Sequence, residues 1–201
     1  MDVNGIMNWF FGIVGVVGAV ASYNSEHKRK KEEKMRKTLT WAELQAGTND
    51  ICKELRRKQF EFDVILTPNL RGGIISELIK DHFDRHIPVF VGQIFWREMD
   101  GDIPVIPEHF PIETGKWMLY LPDAVANFKD SRLLIVDDFA MSGDTVFNIK
   151  KELVARGFQP KNIGTFSLIT TPIAKANNKA PDFHWRTSED NSFYFPWGKA
   201  K

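Results

Sequence analysis

The stretch Leu133–Thr145 reads LLIVDDFAMSGDT, and it decides the expected fold because it joins a strand, a turn and the start of a helix. Its first four residues are apolar, as is typical of a strand buried on both faces. A helix is predicted from Gly143 to Arg156. Further strands are predicted at residues 62–67, 87–96 and 163–170, with helices between them. This alternation indicates an α/β domain with a mainly parallel sheet flanked by helices.

Two helices are predicted before and after the first strand. Thr40 and Glu43 have the spacing of a capping box, and apolar residues then recur every three or four positions to about Gln59. The second helix is expected from Ile74 to about His86. The segment between these helices, residues 62–73, therefore holds a short buried strand and a turn.

An uncharged segment of eighteen residues, Ile6–Tyr23, precedes a strongly basic one. As a helix it would be about 27 Å long, close to the roughly 30 Å hydrocarbon core of a bilayer. Residues 27–37 contain seven Lys or Arg and two Glu, which predicts a cytoplasmic C-terminal side. We predict that residues 1–24 are a single-pass membrane helix, 25–39 a charged connector and 40–201 the folded domain.

The membrane prediction for this N-terminal segment has three alternatives. A cleaved signal peptide needs basic residues before the apolar stretch, and this sequence has none there. An interfacial helix would show a polar face, whereas a buried core helix stays open as an alternative. Gly15, Ala19 and Ser22 form a stripe of small residues that would let two such helices approach closely. The stripe also has a plain explanation, since small residues are common in membrane helices, but we expect a homodimer.

Composition excludes several classes of function. The net charge is only +1, so no nucleic-acid partner is expected. The single cysteine, Cys52, excludes an internal disulfide and fits a reducing compartment. It lies within the first predicted helix and is expected to pack in the core. The five histidines are scattered along the chain, and no zinc site is predicted.

The residues after the buried strand are suited to hold a phosphate attached to a ribose. A turn that leads into a helix N-terminus aims several backbone N–H groups at one point, and the helix dipole favours an anion there. Gly143 lets a ligand approach the backbone, and Ser142 and Thr145 add hydroxyl donors. Asp137 and Asp138 suit the 2- and 3-hydroxyls of a ribose, directly or through a cation. The alternative is that these carboxylates merely cap a turn.

This order of apolar strand, acidic pair, short spacer and Ser-Gly-x-Thr resembles the signature of the type I phosphoribosyltransferase family. Residues 64–73, VILTPNLRGG, are similar to the pyrophosphate loop of that family, and residues 195–197, FPW, resemble the ending of bacterial xanthine-guanine phosphoribosyltransferases. The resemblance covers roughly residues 41–198. It implies that residues 97–129, which read as a Pro-rich irregular insert, form the hood over the base.

By this resemblance the substrate is phosphoribosyl pyrophosphate with Mg²⁺, and the reaction transfers the phosphoribosyl group to a nitrogenous base with release of pyrophosphate. The resemblance implies that pyrophosphate is bound by Leu70, Arg71, Gly72 and Gly73. It also implies a strained or cis peptide near Asn69–Arg71. The phosphoribosyl group would be bound by Asp137, Asp138, Met141, Ser142, Gly143, Asp144 and Thr145, of which the two adjacent aspartates are the candidate metal ligands.

The positions that would recognise the base depart from the family. Met141 stands where 6-oxopurine enzymes have an Asp that acts as general base, and a thioether cannot accept a proton. Thr171 and Ser192 replace the Lys and Trp that contact the base in xanthine-guanine enzymes, and Phe193 follows. A base in the hood is a weaker alternative, with Glu98, Asp100, Asp102, Glu108, His109 and Glu113 as candidates. Three functions remain open: a transferase with an unusual base site, a nucleotide sensor that signals through the membrane helix, and a structural membrane adaptor.

Overall fold

The computed structural model describes residues 22–31, 38–96, 105–114, 117–189 and 191–200. The chain divides into two compact units, residues 1–38 and 39–201. In the first unit, residues 22–31 form helix α1. None of the helices in the described ranges is both long enough and apolar enough to cross a bilayer. The predicted membrane helix, residues 1–24, lies outside these ranges apart from its last three residues.

The second unit is an α/β domain. It contains in chain order α2 (Trp41–Arg57), β1 (Val64–Thr67), α3 (Leu70–Lys80), β2 (Val89–Val91), β3 (Gln93–Trp96), β4 (His109–Glu113), β5 (Trp117–Pro122), β6 (Leu133–Ala140), α4 (Asp144–Ala155), β7 (Ile163–Thr170), α5 (Pro172–Ala176), β8 (Phe183–Thr187), β9 (Tyr194–Phe195) and β10 (Gly198–Lys199). Two 3-10 turns, Asp123–Phe128 and Pro160–Asn162, precede β6 and β7.

A parallel sheet with the order β2-β1-β6-β7-β8 forms the centre of this unit. All eight residues of β6 are buried. Leu134 and Val136 pack in a cluster with residues of α2 and α3, whereas Leu133 and Ile135 pack with α4, β4 and β5. Because strand side chains alternate between faces, the next two residues, Asp137 and Asp138, point to opposite sides of the sheet.

The parallel sheet, the helices on both of its faces and the capping box were predicted correctly. Thr40 and Glu43 exchange the two expected hydrogen bonds at the start of α2. Cys52 is buried in the first cluster, as predicted, and burial raises the pKa of its thiol to about 12. Full burial of a Val, Leu, Ile, Phe or Met side chain in such a cluster contributes roughly 1.5–3 kcal/mol to the stability of the fold.

Three predictions about elements were wrong. Residues 87–96 do not form one strand, because the chain leaves the parallel sheet at Gly92, where a Cβ would overlap Leu121 and the Tyr120 carbonyl. The described part of the hood, residues 97–129, is not irregular, since β4 pairs with β5 and β5 with β3 in an antiparallel sheet. Helix α3 begins at Leu70 instead of Ile74 and ends at Lys80.

Candidate functional site

A cavity of about 1000 Å³ opens at the C-terminal end of β6. It is large enough for a nucleotide, because small-molecule sites commonly occupy about 300–1000 Å³. Its walls come from four parts of the fold: Asp137 with residues 139–146, Thr114 and Trp117 of the hood, Ile173 of α5, and Asn191. The cavity therefore contains most of the predicted phosphoribosyl-binding residues.

The α4 turn, defined as Met141–Thr145, presents a helix N-terminus to this cavity. Gly143 has a φ of +79°, a left-handed conformation that favours glycine, and as the N-cap residue of α4 it has no side chain to cap the helix. The Ser142 hydroxyl donates to Asp144 Oδ2 over 2.7 Å and accepts from the Asp144 N–H over 3.4 Å. A helix N-terminus whose positive dipole end lies at a cavity favours an anion.

Asp137 is one of the two acidic residues that line the described cavity, and Asp144 is the other. Its carboxylate is 5% exposed and accepts a hydrogen bond of 3.0 Å from the Asp138 N–H. Burial, and after it the charge of Asp138, raise the pKa of Asp137 well above the value of an ordinary aspartate. A buried carboxylate in this condition gains from a cation or from hydroxyl donors.

Asp138 lies on the other face of β6 and is bonded to a different set of residues. Trp197 Nε1 donates to Asp138 Oδ2 over 3.0 Å, and Arg71 Nη1 lies 3.9 Å from the same oxygen. Burial raises the pKa of Asp138, while the Trp197 hydrogen bond and the Arg71 charge oppose that rise. The sequence analysis predicted that both aspartates bind the ribose. Of the two, only Asp137 lines the described cavity.

The α3 turn, defined as Pro68–Gly73, does not form an open anion loop. Asn69 Oδ1 accepts hydrogen bonds from the N–H groups of Arg71 and Gly72 over 2.8 Å and 3.3 Å. Arg71 also donates to the Lys199 carbonyl over 3.2 Å. The predicted pyrophosphate-binding residues Leu70–Gly73 thus belong to the first turn of α3, and none of these four described residues lines the cavity.

The prediction of a strained or cis peptide near Asn69–Arg71 was wrong. The described chain has no cis peptide bond, and its non-glycine residues with positive φ are Gln59, Glu108 and Asn178. Asn69 is extended, with a φ of −159°. The side-chain cap explains this relaxed geometry, because it satisfies the first N–H groups of α3 without a distorted backbone.

The base-site positions Thr171 and Phe193 are bonded or packed within the fold. Thr171 is 1% exposed, caps α5 through the Ala174 N–H over 3.2 Å and donates to the Met141 carbonyl. Phe193 packs edge-on against Phe139. Met141 is 43% exposed and lines the cavity, whereas Ser192 and Phe193 are not among its described lining residues. Of these four positions, Met141 is therefore the one that lines the described cavity.

The hood contributes Trp117 and Thr114 to the cavity, but not the acidic residues that were considered as a base. Glu108, His109 and Glu113 do not line the described cavity, and Glu98, Asp100 and Asp102 lie outside the described residues. Sequence reasoning also missed Ile173 and Asn191. No local motif marks these four lining residues, because they come together only through the fold.

A divalent cation fits this site only as a partner of substrate oxygens. Among the described residues, no three His, Cys, Asp or Glu side chains converge as a metal site. Asp137 offers a carboxylate to the cavity, whereas Asp138 is occupied by Trp197 and Arg71. Mg²⁺ is commonly bound by one or two carboxylates together with substrate phosphates, and a single carboxylate is compatible with that arrangement.

Comparisons with solved structures agree with the α/β fold. A purine phosphoribosyltransferase from Pyrococcus horikoshii Ot3 is 23% identical, with a TM-score of 0.53, over 82% of this chain and 95% of that one. A hypothetical protein from Neisseria gonorrhoeae with bound ppGpp is 19% identical, with a TM-score of 0.59, over 79% and 86%.

The xanthine-guanine-hypoxanthine phosphoribosyltransferase of Helicobacter pylori is 15% identical, with a TM-score of 0.52, over 80% of this chain and 92% of that one. At these identities the likeness concerns the fold. No curated protein matches the chain. Residues 16–199 match the family described as the phosphoribosyl transferase domain, and the chain therefore belongs to that family.

Proposed function

We propose that this protein binds phosphoribosyl pyrophosphate, or a related ribose 5-phosphate compound, in the cavity at the end of β6. The observation that carries the proposal is the N-terminus of α4, which faces the same cavity as the buried carboxylate of Asp137. The α4 turn would bind the 5-phosphate through its N–H groups and through the Ser142 and Thr145 hydroxyls. Asp137 would accept hydrogen bonds from the ribose hydroxyls.

The proposed reaction is transfer of the phosphoribosyl group to a nitrogenous base, with release of pyrophosphate. Mg²⁺ would neutralise the pyrophosphate and would be held by substrate oxygens with Asp137. The chain itself would position the ribose and exclude water, with Trp117, Met141 and Ile173 as the apolar walls beside the base. In this proposal Leu70–Gly73 still contact the pyrophosphate, which requires Arg71 to leave Lys199 and Asp138.

The test is to incubate the full-length protein with phosphoribosyl pyrophosphate, Mg²⁺ and a panel of purine and pyrimidine bases, and to measure pyrophosphate release. Asp137→Asn should lower the rate strongly, because it removes the charge that faces the ribose. Asp130→Asn is the matched control, since Asp130 is an exposed aspartate that does not line the cavity. Release with one base, lost in Asp137→Asn and kept in Asp130→Asn, would support a transferase.

A nucleotide-binding function without transfer is the second candidate. It is favoured by the bonding of Arg71 and Asp138 to residues 197–199, which leaves the α3 turn closed. Binding of ribose 5-phosphate, AMP, GMP or ppGpp that depends on Asp137, with no pyrophosphate release from any base, would support it. Failure to bind any of these compounds or phosphoribosyl pyrophosphate would exclude both functions and leave the structural adaptor.

The membrane anchor and the homodimer are separate proposals. Both rest on sequence: the apolar segment at residues 6–23 with its basic flank, and the stripe Gly15, Ala19 and Ser22. The protein would then be a single-pass membrane protein with its folded domain in the cytoplasm. Carbonate-washed membranes should retain the full chain and lose a chain that lacks residues 1–24. Chemical crosslinking of the membrane-bound protein should give a dimer that Gly15→Leu weakens.

A further inference from the structure

The segment that follows β7, residues 171–179, holds the backbone of the α4 turn. The Thr171 hydroxyl donates to the Met141 carbonyl. The side-chain amide of Asn177 donates to the Ser142 carbonyl over 3.4 Å. These two contacts join residues 30 and 35 positions apart, and they attach the carbonyls of the turn to the neighbouring segment.

Lys179 completes this attachment through both its backbone and its side chain. Its carbonyl oxygen occupies the space that a Cβ on Gly143 would need. Its ammonium group bonds to Asp144 Oδ1 and lies 5.0 Å from the centre of the Phe147 ring. Its own N–H donates to the Ala174 carbonyl over 2.9 Å. The Lys179 side chain is 30% exposed, so it is partly enclosed on the turn.

A phosphate at the α4 turn meets an electrostatic obstacle in Asp144. This carboxylate lies in the first turn of α4 and lines the cavity, where its charge repels an incoming anion. The bond to Lys179, and after it the bond to Ser142, lower the pKa of Asp144, so the carboxylate stays ionised at neutral pH. A positive charge beside Asp144 would reduce this repulsion, and the Lys179 ammonium group bonds directly to the Asp144 carboxylate.

We propose that Lys179 is the positioning residue that makes the α4 turn able to bind a phosphate, by compensating the charge of Asp144 and holding its carboxylate. The inference rests on the proposed function, since it assumes that the phosphate binds at this turn. Lys179 acts through Asp144 and does not contact the ligand. A different role, as an ordinary surface ion pair, would contribute little to stability and nothing to anion binding.

The experiment is a double-mutant cycle on the full-length protein, with ribose 5-phosphate as the ligand and ribose as the control for the phosphate contribution. Calorimetric titration measures Kd for the original protein, Lys179→Met, Asp144→Asn and the double variant. We expect Lys179→Met to weaken binding about tenfold, and Asp144→Asn to strengthen it. In the double variant the loss caused by Lys179→Met should shrink to about twofold or less.

Two further variants separate the charge effect from a loss of structure. Lys179→Arg keeps the positive charge and should retain most of the affinity. Lys175→Met is the matched control, because Lys175 lies on the same segment and donates to Thr187 over 2.7 Å instead of to Asp144. Circular dichroism and thermal unfolding identify any variant that fails to fold. If Lys179→Met does not fold, Lys179→Gln replaces it in the cycle.

Three results would overturn the inference. If Lys179→Met lowers the affinity equally in the original protein and in Asp144→Asn, Lys179 contacts the ligand itself. An unchanged Kd in Lys179→Met would mean that the ion pair is only structural. No binding of ribose 5-phosphate by the original protein would overturn the proposed function as well, which distinguishes the two failures.

Discussion

The α3 turn and the α4 turn follow neighbouring parallel strands, β1 and β6, and both lead into a helix. In the α3 turn, Asn69 caps the helix with its own side chain. In the α4 turn, Gly143 has no side chain, and the helix N-terminus faces a cavity. The same strand–turn–helix arrangement therefore gives a closed structural turn in one place and a site that favours an anion in the other.

Gly143 in the α4 turn and Gly73 in the α3 turn differ in the space around them. An alanine at Gly143 would adopt a left-handed conformation and overlap the Lys179 carbonyl. At Gly73, a Cβ would meet only ordinary van der Waals contacts at 3.7 Å and 4.0 Å. The α4 turn is thus constrained by its neighbours, whereas the second glycine of the α3 turn is not.

Gly143→Ala should have the largest effect. We expect it to lower the free energy of unfolding by about 3 kcal/mol, from left-handed strain and overlap together, and to abolish measurable binding of ribose 5-phosphate. Urea unfolding and calorimetric titration measure the two effects. Gly73→Ala is the control and should keep both properties within experimental error. Normal binding by Gly143→Ala would contradict the assignment of the phosphate to the α4 turn.

Asp137→Asn should weaken binding of ribose 5-phosphate about 100-fold, since hydrogen bonds to a charged group contribute about 1.5–3 kcal/mol. It should also alter the pH dependence of stability. Because burial raises the pKa of Asp137 in the folded state, the unfolded chain releases that proton first. Wild-type stability should therefore fall, relative to Asp137→Asn, as the pH rises above the ordinary carboxyl value of about 3.9.

The difference between these two proteins should level off once the pH exceeds the raised pKa of the folded state. Each unit of that rise corresponds to about 1.4 kcal/mol. Urea unfolding at a series of pH values measures the difference. A stability difference that is independent of pH between about 4 and 8 would contradict the raised pKa of Asp137.

Trp197→Phe tests the closed side of β6. It removes the hydrogen bond to Asp138 but keeps a ring that stacks on Phe195. We expect a loss of about 2 kcal/mol in the free energy of unfolding, because a buried charged acceptor loses a partner, and a Kd for ribose 5-phosphate within about twofold of wild type. A large loss of binding would mean that Asp138 contacts the ligand, so that both faces of β6 would contribute to the ligand site.

Asn69→Ala should have the smallest effect. Loss of a helix cap typically costs about 1 kcal/mol, and thermal unfolding measures it. Asn69→Asp keeps an oxygen that accepts from the same N–H groups and should be close to wild type in stability. If Asn69→Ala instead strengthened pyrophosphate binding, the α3 turn would be an anion site that its own cap holds closed.

The sequence was sufficient for the parts of the fold that depend on local pattern. The apolar run before Asp137 predicted a buried central strand, and the Thr40 and Glu43 spacing predicted the start of α2. It was not sufficient where an element depends on a distant contact. Gly92 divides one predicted strand into two because Tyr120 and Leu121 pass close to it, and no strand was predicted at β8.

The same limit applies to the candidate site. The motif placed Ser142, Gly143 and Thr145 on the cavity, but it did not separate Asp137 from Asp138. That separation needs the strand to continue to Ala140, so that successive side chains alternate. The motif also gave no sign of Lys179, which reaches the turn from 35 residues further along the chain.

The bond between Arg71 and the Lys199 carbonyl spans 128 residues, and this has a consequence for the protein during its synthesis. Until residue 199 has been made, Arg71 lacks that carbonyl, and Asp138 lacks Trp197 for nearly as long. A chain that lacks residues 197–199 would therefore leave Arg71 and Asp138 without these two partners, whereas Thr171, Asn177 and Lys179 could still hold the α4 turn. Long-range contacts of this kind are completed late in folding.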